Sequence, residues 1–211
     1  MPRSSPGARL IDDYREFFAT RRSIRELRTD PVDEDTVWRM LDIANTAPSA
    51  HNAQPWRFAL VEPGQRRAAL AERLSKRLRE HLATLGTPAA EVARQTDRTR
   101  RRLTDAPVAI FVCLDESAIQ ATAQPASAGA ERTLAIQGTA LAAGWLLLAA
   151  HAEGLGACWY STPLFVPDEV RDTLALPPAW NPQALVLLGY AAGAGTARAR
   201  EDVRELTLRL S

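Results

Sequence analysis

Ala47-Pro48-Ser49-Ala50-His51-Asn52-Ala53-Gln54-Pro55-Trp56 decides how the rest of this chain is read. Its prolines fix where the chain enters and leaves a tight loop, because each locks its own φ and restricts the residue before it. Between them lie small residues together with Ser49, His51, Asn52 and Gln54, whose hydroxyl, imidazole and amide groups can hydrogen-bond the polar edge of a heterocycle. A plain helix-to-strand connection needs only a few residues and no amide cluster. The loop therefore reads as ligand-facing, although His51 taken alone is an ordinary loop histidine.

Upstream of the loop, a helix is expected after Pro31. Asp33 is placed to cap it, Glu34 and Asp35 suit its dipole, and Val37, Leu41 and Ala44 recur at helical spacing. An earlier helix is expected from Ile11 to Ser23, with Tyr14, Phe17 and Phe18 on one face, preceded by a frayed arm from Met1 to Gly7. Downstream, Trp56 to Val61 reads as a strand. Leu70, Leu74, Leu78 and Leu82 define a helix over Gln65 to Leu85, and a weakly amphipathic, arginine-rich helix spans Glu91 to Leu103, its segment Arg94 to Arg102 reading as a solvated face or as an attractor of a phosphorylated partner. Pro107 to Leu114 reads as a buried strand, and Ala121 to Ala128 as a small-residue loop able to move over a site. Ala130 to Ala152 is apolar all round in its second half, as a central buried helix would be. Strands at Gly156 to Ser161 and Gln183 to Tyr190 flank a short helix from Pro167 to Leu174. Few strands separated by helices make an α+β fold, a single domain over 1–211 with 65–105 as a helical excursion.

The 211 residues suffice for one buried core, and 46% apolar with 24% charged residues is ordinary for a globular protein. A net charge of +1 argues against an electrostatic binder of nucleic acid or acidic membranes. Cys113 and Cys158 each lie in an apolar run, which suits buried thiols in a reducing compartment better than a disulfide. The polar start of the chain lacks a signal-peptide apolar region, and Thr139 to Ala152 is shorter than the ~20 residues of a membrane span. The expectation is a cytoplasmic protein with no membrane and no nucleic-acid partner.

A second constellation is Arg21-Arg22-Ser23-Ile24-Arg25. Three arginines and a hydroxyl at a helix end can clamp a phosphate by charge-assisted hydrogen bonds, or can simply be a solvated basic end opposing the dipole. No Ser-His-Asp order and no metal-ligand spacing stands out, His51, His81 and His151 being scattered. Gly154-Leu155-Gly156 lacks the third glycine of a dinucleotide fingerprint. A chain without obvious catalytic side chains suits an enzyme whose cofactor carries the chemistry.

Together the two constellations resemble the flavin-binding signature of the nitroreductase superfamily. The likeness continues through Glu153-Gly154-Leu155-Gly156-Ala157-Cys158-Trp159, through Asn181 to Tyr190, and to the Arg198-Ala199-Arg200 tail. Along Pro48 to Phe58 and Gly154 to Tyr190 it is similar to the C-terminal reductase domain of the bifunctional coenzyme F-420 biosynthesis protein and its stand-alone relatives. The resemblance implies a nitroreductase-like fold, a mainly antiparallel central sheet flanked by helices, in an intertwined homodimer. It implies FMN, held at its phosphate and pyrimidine side by the Arg21, Arg22, Ser23 and Arg25 group, with Arg198 and Arg200 completing the clamp. Pro48, Ser49, Ala50, Asn52 and Gln54 would come from the other subunit, and backbone at Trp159, Tyr160, Ser161 and Thr162 would lie against the ring. NADPH, NADH or another reduced cofactor would be the electron donor. The acceptor would be a small unsaturated or nitroaromatic molecule, the dehydro precursor of coenzyme F-420 among them. A non-enzymatic flavin or deazaflavin carrier is the alternative. Leu27 replaces an aromatic frequent in the family, a packing difference, and Gly144-Trp145 replaces Gln-Asn. Trp145 is either core filler or a wall of the substrate pocket.

Overall fold

The computed structural model describes residues 6–119 and 125–210. Its elements are α1 (Pro6–Thr20), α2 (Glu34–Asn45), β1 (Trp56–Leu60), α3 (Gln65–Thr84), α4 (Ala89–Asp105), β2 (Val108–Asp115), α5 (Pro125–Ala152), β3 (Gly156–Tyr160), α6 (Pro167–Leu174) and β4 (Trp180–Gly189). Every residue of β2 is buried, so the sheet is covered on both faces. All three strand pairings are antiparallel, and the order is β1-β2-β4-β3.

The two-residue period of β2 and β4 sorts their side chains into separate cores. Val108, Ile110, Val112, Ala184, Val186 and Leu188 meet α2 and α5 through Met40, Leu41, Ala44, Leu146 and Ala150. Ala109, Phe111, Cys113, Leu185 and Leu187 meet α3, α4 and α6 through Leu70, Leu74, Leu103, Val170 and Leu174. The excursion and α6 together therefore cover this face of the sheet. The excursion's two helices are stapled by buried Arg67, which donates to the carbonyls of Leu103 and Ala106.

Several boundaries differ from the sequence reading. α1 begins at Pro6 and stops at Thr20, so Pro6 and Gly7 are helical and the arginines lie beyond the helix; the rest of the expected arm, 1–5, is outside the described residues. Thr20 hydroxyl contacts at Glu16 O (2.8 Å) and His151 Nε2 (3.1 Å) tie that end to α5. The expected mobile loop falls partly on 120–124, outside the described residues, but Pro125 to Ala128 already belong to α5, with proline suited to a first turn. β4 starts at Trp180 rather than Gln183. Pro182 pairs with Cys113 and Ala184 with Val112, so Gln183 is the extra residue of a bulge, the place where a sheet accommodates proline.

α5 is longer than its apolar run suggested, and its Ser127–Ala152 portion is long and apolar enough by composition to cross a membrane. In the fold Ala142, Ala143, Leu146, Ala149 and Ala150 are buried. The helix is halted by Gly154 at φ 72°, with Leu155 N–H donating to Ala150 O at 2.8 Å. Trp145 packs with Phe58 beside Trp56 and Ala142, as core filler does, and half-buried Leu27 joins the opposite core. Cys113 and Cys158 are free, buried thiols on different strands.

Candidate functional site

The chain after α1 is held as an extended ribbon. Ser23 bridges Ala157 in parallel, Ile24 N–H donates to Ala157 O at 2.9 Å, and Leu27 bridges Ala191. Arg28 N–H reaches Tyr190 O at 2.8 Å and Ala192 N–H reaches Glu26 O at 3.0 Å. The edge of β3 and the tail after β4 thus grip residues 23–28 from two sides. Gly156 permits the approach, since a Cβ there would stand 2.8 Å from Ile24 Cγ2. The constellation expected at a helix end is therefore placed by strand-like pairing.

That pairing brings the N-terminal arginines to the tail. Arg21, Arg22, Ser23, Arg25, Arg198 and Arg200 line one groove of about 1020 Å³, whose other wall is Ile11, Tyr14 and Phe18 of α1. Among the described residues no carboxylate lines it. Arg22 turns back to donate to Ala19 O and Arg21 O, covering the carbonyl end of α1. The guanidiniums of Arg21, Arg25, Arg198 and Arg200 make no hydrogen bond or ion pair to any described residue, whereas most other described arginines are paired. Converging unpaired guanidiniums repel one another, and a phosphate is the partner that their donor geometry fits.

The other expected site residues lie elsewhere in the same chain. Ser49 and Ala50 line a small separate pocket with Ile119 and Leu134, while Pro48, Asn52 and Gln54 are exposed. None of them reaches the arginine groove within one protomer. Their backbone is unusual: His51, Asn52 and Gln54 have φ of 55°, 53° and 46°, the left-handed region that non-glycine residues seldom occupy. The loop is braced by Gln54 N–H donating to Ser49 Oγ at 3.0 Å and by the Trp56 indole donating to Asn45 Oδ1 at 2.9 Å. At the end of β3, Trp159 packs toward α5 and Tyr160 toward the opposite core. Ser161 is exposed and Thr162 opens a 3-10 turn, so the backbone there is free of the sheet ladder.

One residue near the groove comes from the arginine-rich segment, which the sequence did not assign to the site. The last turn of α4 carries Arg102 against Glu26, next to Arg25. Its Nε and the Tyr160 hydroxyl are buried without a hydrogen-bond partner among the described residues. Burial pushes both the Cys158 thiol and the Tyr160 phenol upward, so both stay protonated at neutral pH. The only signal in the sequence was adjacency to buried Leu103, which does not say which arginine of the run turns inward.

The sequence profile of the Nitroreductase family matches residues 18–190, from the end of α1 to just past β4. The chain belongs to the nitroreductase family. A 5,6-dimethylbenzimidazole synthase of Rhodospirillum rubrum is 31% identical over 183 residues, which cover 85% of this chain and 82% of that protein. An NADH dehydrogenase of Thermus thermophilus is 35% identical over 193 residues, covering 83% and 85%. A crystal structure from Desulfovibrio desulfuricans, described as that of a nitroreductase in complex with FMN, superposes with a TM-score of 0.70 at 25% identity, covering 99% of each chain.

Proposed function

We propose that this nitroreductase-family protein is an FMN-dependent oxidoreductase. It would pass hydride from a reduced nicotinamide nucleotide to a small unsaturated or nitro acceptor. The observation that carries the reading is the groove in which Arg21, Arg25, Arg198 and Arg200 converge with no acid to neutralise them. Ser23 adds a hydroxyl there, and the wall of Ile11, Tyr14 and Phe18 supplies apolar surface. Crystallised FMN in the Desulfovibrio relative supports the choice of ligand. Bound FMN would supply the hydride chemistry, and the protein would supply binding, orientation and exclusion of water. The backbone from the end of β3 onward, Trp159 to Thr162, of which Ser161 and Thr162 lie outside the sheet ladder, is suited to offering N–H donors to a ring edge that gains negative charge.

The reading includes a homodimer. Leu10, Ile11, Tyr14 and Phe18 on α1, and Val203, Leu206, Leu208 and Leu210 on the tail, are exposed apolar side chains in a single chain. The braced Pro48 to Gln54 loop lacks a ligand-sized cavity of its own, which suits a loop that completes the groove of a second copy.

The test is an absorbance spectrum of the purified or FMN-reconstituted protein. It is followed by anaerobic reduction with NADH or NADPH and reoxidation by a nitroaromatic or by the dehydro precursor of coenzyme F-420. Colourless protein that takes up no FMN would sink the proposal. Flavin that no donor reduces would leave a non-enzymatic carrier, and an unchanged precursor mass would remove the F-420 pathway from the acceptors. The similarity to the Rhodospirillum protein favours a second reading, formation of 5,6-dimethylbenzimidazole, which mass analysis of an aerobic reaction mixture would detect directly.

A further inference from the structure

The loop from Pro48 to Gln54 ends at a polar junction made by residues outside it. β1 is an edge strand, and Pro55 O accepts from Asp115 N–H at 2.8 Å while Val61 N–H donates to Ala109 O at 2.9 Å. The alternate carbonyls, of Gln54 and Trp56, therefore face away from β2. One guanidinium takes both. Arg57 Nη1 donates to Gln54 O at 3.0 Å and to Trp56 O at 2.8 Å, and its Nη2 lies 2.7 Å from Asp115 Oδ2. Asp115 is only 6% exposed at the last position of β2, and its other oxygen accepts from Ser117 N–H at 3.0 Å and from Ser117 Oγ at 2.5 Å. The carboxylate is thus fixed on one side by Ser117 and directed at Arg57 on the other. Both polar groups of the Gln54 backbone are held, the N–H by Ser49 Oγ and the carbonyl by Arg57. Gly138 of α5 leaves room for the two ends of the loop, since a Cβ there would stand 3.1 Å from Ser49 Cβ and 3.6 Å from Pro55 Cγ. Between these anchors His51, Asn52 and Gln54 keep their left-handed φ, a conformation that persists only where the surroundings over-determine it.

We propose that Arg57, seated on buried Asp115, is a positioning residue for the flavin: it latches Gln54 and the loop before it in the shape that completes the arginine groove of a second copy. The inference rests on the dimeric flavin reading and adds the device that presents the loop. Arg57 does not itself line the arginine groove. It acts through Gln54, whose carbonyl it holds. The planar fork of an arginine reaches two carbonyls and a carboxylate at once, where an ammonium is a single point charge. Without that fork the Gln54 carbonyl turns to solvent, and the left-handed residues relax toward ordinary φ. Asn52 and Gln54 then leave the positions from which they meet a ring edge.

The first measurement is amide hydrogen exchange in the flavin-free protein. Arg57→Met should speed exchange in peptides covering 49–54 about tenfold and leave β2 and β4 unchanged. Unaltered exchange in the loop overturns the latch whether or not FMN binds. The second is FMN affinity, expected to fall about tenfold in Arg57→Met and Asp115→Asn, and less in Arg57→Lys, which keeps the pair with Asp115. Wild-type affinity in Arg57→Met overturns the proposal. The third separates positioning from a general loss of stability by mixing subunits. A chain carrying Arg21→Ala and Arg198→Ala keeps its latched loop, and an Arg57→Met chain keeps its clamp. Their doubly tagged heterodimer should regain one FMN site of wild-type affinity, built from the clamp of one chain and the loop of the other. Failure to recover that site overturns the positioning role. Recovery cannot come from repair of a structural defect, because the Arg57→Met chain is still present. If Arg57→Met does not fold, Asp115→Asn replaces it in all three measurements. Wild-type protein that takes up no FMN defeats the flavin reading, and a monomer that binds FMN defeats the dimer, while the exchange comparison still decides the latch.

Discussion

Arg21, Arg25, Arg198 and Arg200 share one groove, and their guanidiniums lack partners among the described residues. Arg39 pairs with Glu153 and Arg28 with Asp30, and hydrogen bonds from these arginines hold both carboxyls below their ordinary range. Such exposed pairs contribute little to stability. The unpaired four are instead available to a ligand. Arg21→Ala and Arg198→Ala should each cost ~1.5–3 kcal/mol of FMN binding, a ten- to hundred-fold loss of affinity measured by quenching of flavin fluorescence. Retention of stoichiometric flavin by the double variant would show the clamp to be misassigned. Arg67 is the opposite case, a buried guanidinium spent on structure, where burial lowers its affinity for the proton. Arg67→Ala leaves the Leu103 and Ala106 carbonyls without their donor. It should destabilise the protein by about 2–4 kcal/mol in urea unfolding, the relief of a buried charge limiting the loss.

At the level of elements, local signals account for α2 and α6. Asp33 Oδ1 accepts from the backbone of Asp35 at 2.8 Å and of Thr36 at 3.4 Å, the cap that its position ahead of Glu34 predicts. Asp33→Ala should cost ~1 kcal/mol of stability and leave flavin affinity unchanged, because none of the described residues lining the arginine groove belongs to α2. The ribbon 23–28 has no such signal. It owes its shape to partners more than a hundred residues away, Ala157 and Tyr190, and to a glycine that lets them approach. Gly156→Ala forces Ile24 aside, since the new Cβ would meet Ile24 Cγ2 and Cβ at 2.8 and 2.9 Å. The expected loss is about 1–3 kcal/mol of stability, accompanied by weaker FMN binding as Arg21 and Arg25 lose their seat. Unaltered flavin affinity in a folded Gly156→Ala protein would show that the ribbon does not position the clamp.

For the molecule as a whole, the sheet's double burial has a consequence for pH. Burial pushes the Cys113 thiol from its ordinary 9.0 up to about 12, and moves Cys158 in the same direction. An unfolded chain releases these protons first. Stability is therefore undiminished below pH 9.0 and declines as pH climbs from there through about 12. Unfolding free energies from urea titrations between pH 8 and 11 should hold to about pH 9.0 and then fall by up to about 1.4 kcal/mol per pH unit per thiol, and Cys113→Ala should flatten the slope. Sedimentation tests the other whole-molecule prediction, a dimer for the holoprotein; a monomer holding FMN would contradict it.

Much of this architecture could be read from order along the chain. Periodicity in Leu70, Leu74, Leu78 and Leu82, the apolar run before Asp115, and the caps around α2 are local properties, expressed by neighbouring residues through backbone geometry and burial. The same locality made the basic runs and the proline-bounded amide loop visible as candidates. What the linear order left open was which candidates meet. Arg198 joins Arg21 only because β4 ends beside the ribbon, and Arg102 reaches Arg25 only because α4 crosses it. The Pro48 to Gln54 loop, expected at the same ligand, stands away from both within one chain. Strand pairing and helix packing decide such meetings, because charge and hydrogen bonding act over a few ångströms of space whatever the separation in sequence.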